Sequence, residues 1–177
     1  MSSDLFGSTN FAGRTAAGGR DLRGLPPFLR VLLTTDGTVT KSLEAYFWEP
    51  VEVKALRQTY ESAASAAAEF TYDPDTAVLV RQVQLVGVQS HRLYARADSV
   101  ILTAMLPPPI RTSLEEGEVG IGELLRERGL ETYRKGLQIG LGDLEGEPCV
   151  WRVYLIYTSG KPFIQIKEWF YLRHFQP

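Results

Sequence analysis

Two charged residues of this 177-residue chain stand where a charge is costly. Arg81 interrupts the apolar run Val78-Leu79-Val80-Arg81-Gln82-Val83, and Glu168 interrupts Phe163-Ile164-Gln165-Ile166-Lys167-Glu168-Trp169-Phe170. A charge on the inward face of such a strand must meet a partner or a ligand. Residues two apart in a strand share a face, so Ile164, Ile166, Glu168 and Phe170 lie together, opposite Phe163, Gln165, Lys167, Trp169 and Tyr171. If the Ile164 face is the inner one, Glu168 is buried with it. Arginine presents a planar fork that fits a carboxylate, and a buried glutamate of raised pKa serves as a general acid or hydrogen-bond partner. The same two residues could instead pair as an internal salt bridge, and composition alone leaves the two readings level.

Other candidate chemistry is weaker. His91 and His174 are the only histidines, and neither has a carboxylate at helical spacing. The three or four convergent ligands of a metal site are therefore not in prospect, and no metal is expected. Cys149 lies in the apolar run Cys149-Val150-Trp151, the usual setting of a structural thiol. Ser90 and His91 are adjacent, so in a strand they point to opposite faces and cannot act as nucleophile and base. Gly160-Lys161 lacks the upstream glycine of a phosphate loop, and Pro162 stands where that loop needs Ser or Thr. Gly120-Ile121-Gly122 is too short for a dinucleotide fingerprint, although backbone N–H groups at a helix start can bind a carboxylate.

The elements that must position these residues follow from periodicity and punctuation. Residues 1–26 are rich in Gly, Ser, Ala and Thr without apolar spacing and read as a flexible arm; residues 27–177 read as one domain. Pro26 and Pro27 open a helix whose buried face is Phe28, Leu29, Val31, Leu32 and Leu33. Thr38 caps a second helix running through Leu43 and Phe47 to its stop at Pro50. A strand starts at Val51, and residues 62–68 read either as a short helix or as a loop. Residues 77–88 and 92–102 form a hairpin, Pro107-Pro108-Pro109 a crossing or rim segment, and 115–128 a short helical stretch. Strands over 130–141, 149–157 and 163–172 complete the chain, the last two joined by a five-residue connection, 158–162. About six strands clustered in hairpins, with two to four helices, give an antiparallel sheet and the α+β class.

Composition bounds the rest. The chain is 44% hydrophobic and 23% charged with a formal net charge of −2, which suits a single core and offers no basic excess for nucleic acid. No apolar run approaches the roughly 20 residues of a membrane span. One cysteine and a start, Met1-Ser2-Ser3-Asp4, without secretory character predict a cytoplasmic protein.

Leu32-Leu33-Thr34-Thr35-Asp36-Gly37-Thr38-Val39-Thr40-Lys41-Ser42-Leu43-Glu44, Val80-Arg81-Gln82-Val83-Gln84-Leu85, Gly120-Ile121-Gly122-Glu123-Leu124-Leu125, Ser159-Gly160-Lys161-Pro162 and Glu168-Trp169-Phe170 occur in this order. Together they resemble the chorismate pyruvate-lyase family, the 4-hydroxybenzoate synthases of quinone biosynthesis. The resemblance spans roughly residues 28–172. It implies a six-stranded antiparallel sheet flanked by helices, with an internal ligand cavity closed by flaps. It also implies a ring-carboxylate grip for Arg81, a catalytic place beside the ring hydroxyl and the breaking bond for Glu168, and carboxylate-holding backbone N–H groups at Val39, Thr40, Ile121 and Gly122. Arg96 matches a family arginine and reads at least as readily as structural. Residues 62–70 and 102–111 do not line up with the family.

The expected function is elimination of pyruvate from chorismate to give 4-hydroxybenzoate, with no cofactor. The rival is a non-catalytic module binding a small aromatic acid, which needs Arg81 but not Glu168. A third reading, a purely structural domain, requires Arg81 and Glu168 to satisfy each other with no cavity between them.

Overall fold

A computed structural model describes residues 22–69, 73–116 and 119–175. Two short helices come first, α1 (Pro27–Thr34) and α2 (Val39–Phe47). Three strands follow, β1 (Val51–Ser62), β2 (Ala77–Gly87) and β3 (Leu93–Ile101). Two more helices, α3 (Pro108–Glu116) and α4 (Ile121–Glu127), lead into β4 (Tyr133–Leu144), β5 (Glu147–Thr158) and β6 (Lys161–Tyr171).

The six strands form one sheet in the order β1-β2-β3-β6-β5-β4, antiparallel at every pair. It consists of two three-strand meanders joined where β3 meets β6, and α3 and α4 occupy the crossover between them. This is the α+β architecture expected from the hairpin clustering. The β4–β5 and β5–β6 turns are tight: Glu145-Gly146 and Ser159-Gly160 each place both central residues at positive φ. That conformation matches the twist of a two-residue hairpin. The predicted five-residue connection over 158–162 is thus a two-residue turn, with Lys161 and Pro162 already in β6; proline is tolerated at a strand's first residues.

Only one face of the sheet is fully buried. Leu79, Arg81, Val83 and Leu85 of β2, Ser99 and Ile101 of β3, and Ile164, Ile166, Glu168 and Phe170 of β6 all point inward. Gln165, Lys167 and Trp169 are half-buried on the other face, where the Lys167 ammonium lies over the rings of Trp151 and Trp169. The helices cover the inner face at its two ends. One apolar cluster packs α1 and α2 against Val83, Leu85, Ala95 and Phe170; the other packs α3 and α4 against Leu79, Ile101, Ile164 and Ile166. The two clusters flank a stretch of the same face that carries polar residues.

Several local expectations change. Residues 22–24 form a 3-10 turn with Leu22 buried, and Leu25 is buried too, so the end of the predicted arm packs into the first cluster. Residues 1–21 lie outside the described residues. In α1, Leu29, Leu32 and Leu33 face inward while Val31 is 55% exposed, because a helix this short buries only one stripe. Thr38 takes the N-cap position of α2 with extended backbone, but its side chain makes no capping hydrogen bond. Pro108 and Pro109 start α3 where a rim segment was expected, since a first helical turn needs no N–H donors. The stretch 115–128 is accordingly the end of α3 and the whole of α4. Ser62 ends β1 and residues 63–68 are a turn-rich loop, with Ala67 at φ 50°.

Candidate functional site

The polar middle of the inner face is the floor of a cavity. Residues 37–40, from the α1–α2 junction into the first turn of α2, and residues 120–123 at the start of α4 line its opposite side. With its mouth included it encloses about 570 Å³ of empty space. All six residues singled out from the sequence, Arg81, Glu168, Val39, Thr40, Ile121 and Gly122, line this one cavity. Arg96 does not: it lies on the outer face, paired with Glu145 at 2.8 Å and Asp98 at 3.4 Å.

Sheet register explains the spacing of the two charges. Arg81 sits opposite Ser99, Ser99 opposite Ile166, and Ile166 opposite Tyr154, forming one row across the sheet. Two residues along, Val83, Ala97, Glu168 and Arg152 form the next row. Arg81 and Glu168 are therefore two strands and two residues apart, which puts their backbones about 12 Å from each other. The space between is floored by Ala97 and Ser99, both small, so a six-membered ring with a polar group at each end fits there.

The two charges are held differently. Arg81 is 1% exposed, and its Nε donates to Gln58 Oε1 at 3.2 Å. Burial pulls its guanidinium below the usual arginine range, though an arginine stays charged. Glu168 is 8% exposed and pairs with Arg152, whose Nε donates to Oε2 at 2.6 Å. The Tyr154 hydroxyl donates to Oε1 at 3.1 Å. Both carboxylate oxygens thus accept hydrogen bonds. Burial first, and the Glu168 charge second, push the Tyr154 phenol well above its usual range, so it stays a donor. Burial acts to lower the Arg152 guanidinium, but Glu168 and Tyr154 together outweigh it and the net direction is upward.

Arg152, Tyr154 and Arg134 were not singled out from the sequence. Arg152 interrupts the apolar strand Cys149-Val150-Trp151-Arg152-Val153-Tyr154 as Arg81 interrupts its own, and the same cost argument would have found it. Arg134 lines the cavity from β4, and its buried Nε has no hydrogen-bond partner among the described residues. Gly122 permits this arrangement: a Cβ there would meet Arg134 Nη2 and Thr38 Cγ2, each at 3.3 Å. Cys149 is a buried free thiol away from the cavity lining, and the described residues contain no cluster of metal-ligand side chains. No helix among them is long and apolar enough to cross a membrane.

This architecture is shared with solved structures of other proteins. The effector domain of PhnF from Mycobacterium smegmatis superposes with a TM-score of 0.56 at 14% identity, covering 76% of this chain and 88% of that one. The sequence is more specific: it matches the family described as chorismate pyruvate-lyase, Rv2949c-like, over residues 33–176, and the chain belongs to that family. A chorismate pyruvate-lyase of Mycobacterium leprae is 31% identical over 170 residues, covering 88% of this chain and 80% of the relative. The chorismate pyruvate-lyase of Mycobacterium tuberculosis is 27% identical over 165 residues, covering 85% and 83%.

Proposed function

We propose that the cavity binds chorismate and that the chain eliminates pyruvate from it, releasing 4-hydroxybenzoate. The observation that carries this reading is a largely apolar cavity with guanidinium groups of Arg81 and Arg134 in its wall and a hydrogen-bonded carboxylate, Glu168, across the floor. Chorismate is a dianion built on a nearly aromatic ring, and two guanidinium forks match its two carboxylates. Arg81 takes the ring carboxylate. Arg134 takes the carboxylate of the enolpyruvyl group. Backbone N–H groups at Val39, Thr40, Ile121 and Gly122 add donors from the covering segments, the role that the family resemblance implies for them.

In the reaction the ether bond from ring to enolpyruvyl oxygen breaks, the neighbouring ring carbon that bears the hydroxyl loses its hydrogen as a proton, and the ring becomes aromatic. The departing enolate takes up a proton on carbon and leaves as pyruvate. The reaction is redox-neutral, so its balance contains no electron acceptor. Aromatisation drives it, and the protein's work is orientation and one proton movement. Glu168, with donors on both oxygens, suits the role of acceptor better than that of general acid: it takes the ring proton or the hydrogen bond of the ring hydroxyl. Tyr154, protonated and cavity-lining, is the nearer donor to developing negative charge. A reducing cytoplasmic setting suits the single buried thiol, and the family resemblance supports a quinone as the destination of the product.

The test is to incubate purified protein with chorismate and follow both products. Equimolar 4-hydroxybenzoate and pyruvate are expected. Tight binding of 4-hydroxybenzoate without turnover would favour the second reading, a sensor of small aromatic acids, which the likeness to the PhnF effector domain supports at the level of fold.

A further inference from the structure

We propose that Arg152 is a positioning residue that couples the seating of the segment 36–40 to the orientation of Glu168. The proposal rests on the reading of Glu168 as the proton acceptor, and its test separates the two.

The guanidinium of Arg152 is 2% exposed and touches three things at once. Nε donates to Glu168 Oε2 at 2.6 Å, Nη1 donates to the backbone carbonyl of Thr35 at 2.9 Å, and the plane lies 4.8 Å from the centre of the Tyr154 ring. An ion pair made for packing alone is complete with the first contact. The second reaches 117 residues back in the chain, to the residue that caps the C-terminus of α1. Thr35 is also the anchor of the covering segment: its hydroxyl accepts the N–H of Gly37 at 3.1 Å, and residues 37–40 line the cavity.

Geometry makes these contacts interdependent. A guanidinium is a rigid plane, so Nη1 and Nε cannot move separately. When segment 36–40 lifts to admit substrate, the Thr35 carbonyl leaves Nη1, the plane is free to turn about the side chain, and the carboxylate turns with it. When the segment closes, the carbonyl pins the plane and Glu168 points at the ring. The third nitrogen, Nη2, is buried and has no hydrogen-bond partner among the described residues. It shares an edge of the fork with Nε, the edge that holds a carboxylate through two parallel bonds. The open segment therefore leaves Glu168 an alternative hold on both donors, away from Tyr154.

The experiment compares wild type, Arg152→Lys and Arg152→Met, each also in a Glu168→Gln background. Arg152→Met should lower kcat roughly tenfold or more, part of the loss expected from removing the carboxylate itself. KM for chorismate and the Kd of 4-hydroxybenzoate should change much less. Arg152→Lys keeps the charge but not the plane and should recover only part of the rate. In the Glu168→Gln background Arg152→Met should cost nothing more, because the group it orients is gone. Hydrogen exchange at residues 36–40 should quicken in Arg152→Met whether or not the protein turns over chorismate. If wild type is inactive, the functional reading fails, and the exchange measurement still decides the coupling. Unchanged kcat, an equal loss of kcat in both backgrounds, or unchanged exchange at 36–40 would each overturn the proposal. Should Arg152→Met not fold, the double variant removes both charges and with them the unpaired buried carboxylate, and it and Arg152→Lys carry the test.

Discussion

The two ends of the cavity hold their buried charges in opposite ways. At one end Arg81 is held through Nε by the amide oxygen of Gln58, a neutral acceptor, and Gln58 in turn donates at 2.8 Å to the carbonyl of Glu115 in the last turn of α3. At the other end Glu168 is held by a full ion pair and a phenol, and the ion-pair partner reaches the end of α1. Each charge is thus tied to the helix pair covering its end of the sheet. The hold on Nε is a neutral one and orients the Arg81 fork, as the proposed binding of a carboxylate there requires. The charged hold fixes the direction of the Glu168 carboxyl, as the proposed role of proton acceptor requires.

If the ends divide the work in this way, substitutions should separate binding from rate. Arg81→Ala should produce the largest effect, weakening both chorismate and 4-hydroxybenzoate by roughly 2 to 5 kcal/mol, the usual cost of removing one member of a buried charge pair. Calorimetry with the product checks it, and normal product affinity would remove Arg81 from the binding site. Glu168→Gln should come next. It preserves size, so product affinity should stay close to wild type while single-turnover rates fall roughly 100-fold or more. A variant that loses affinity and rate together would erase the contrast between the two ends. A smaller and sharper probe is Gln58→Met, which keeps length but removes the acceptor from Arg81 and the donor from Glu115. Product affinity should fall by roughly 1 to 2 kcal/mol, the scale of one hydrogen bond to a charged group, with the bound-state rate nearly unchanged. A fall in rate instead would mean that Gln58 serves the chemistry.

How much of this was legible in the sequence follows the same division. Arg81 and Glu168 were found because each breaks an apolar strand, and period-two parity assigned Glu168 to the Ile164 face, which is the buried one. The α+β class and the antiparallel sheet followed from hairpins, which are local. What bound the charges was not local. Gln58 meets Arg81 across the β1–β2 register, displaced by the bulge between Ala55 and Arg57, and no periodicity announces that shift. Arg152 faces Glu168 across β5–β6 in the register that a five-residue connection would also give, because the irregularity between Ile156 and Tyr157 offsets the shorter turn; this pair escapes the sequence only because Arg152 is not weighed there as a buried charge. The joining of the meanders at β3 and β6 brings Arg81 and Glu168 to one floor, and it depends on a crossover of two helices whose first, α3, was hidden behind three prolines.

A second carboxylate, outside the cavity, supplies the control for the comparison. Glu49, just beyond α2, accepts hydrogen bonds from the backbone N–H groups of Gln89 at 2.9 Å and Ser90 at 3.0 Å, from the Ser90 hydroxyl at 2.6 Å, and from the Tyr94 hydroxyl. Its donors among the described residues are all neutral, with no cation among them. Hydrogen bonds from the Ser90 and Tyr94 side chains, then the backbone, bring its pKa down to about 2 from an ordinary 4.5. A carboxyl depressed on folding stabilises the protein above its unfolded pKa, and that contribution is lost as pH falls through the folded one. Stability from Glu49 should therefore decline between about pH 4.5 and about pH 2. Glu49→Gln should flatten that part of a denaturation-versus-pH curve while leaving kcat and KM for chorismate at neutral pH as they are, because the ring of Tyr94 stacks on Phe47 in the first apolar cluster and neither lines the cavity. A loss of turnover in Glu49→Gln would show that a firmly anchored carboxylate anywhere on this face feeds into the chemistry, and the special hold on Glu168 would then lose its explanation.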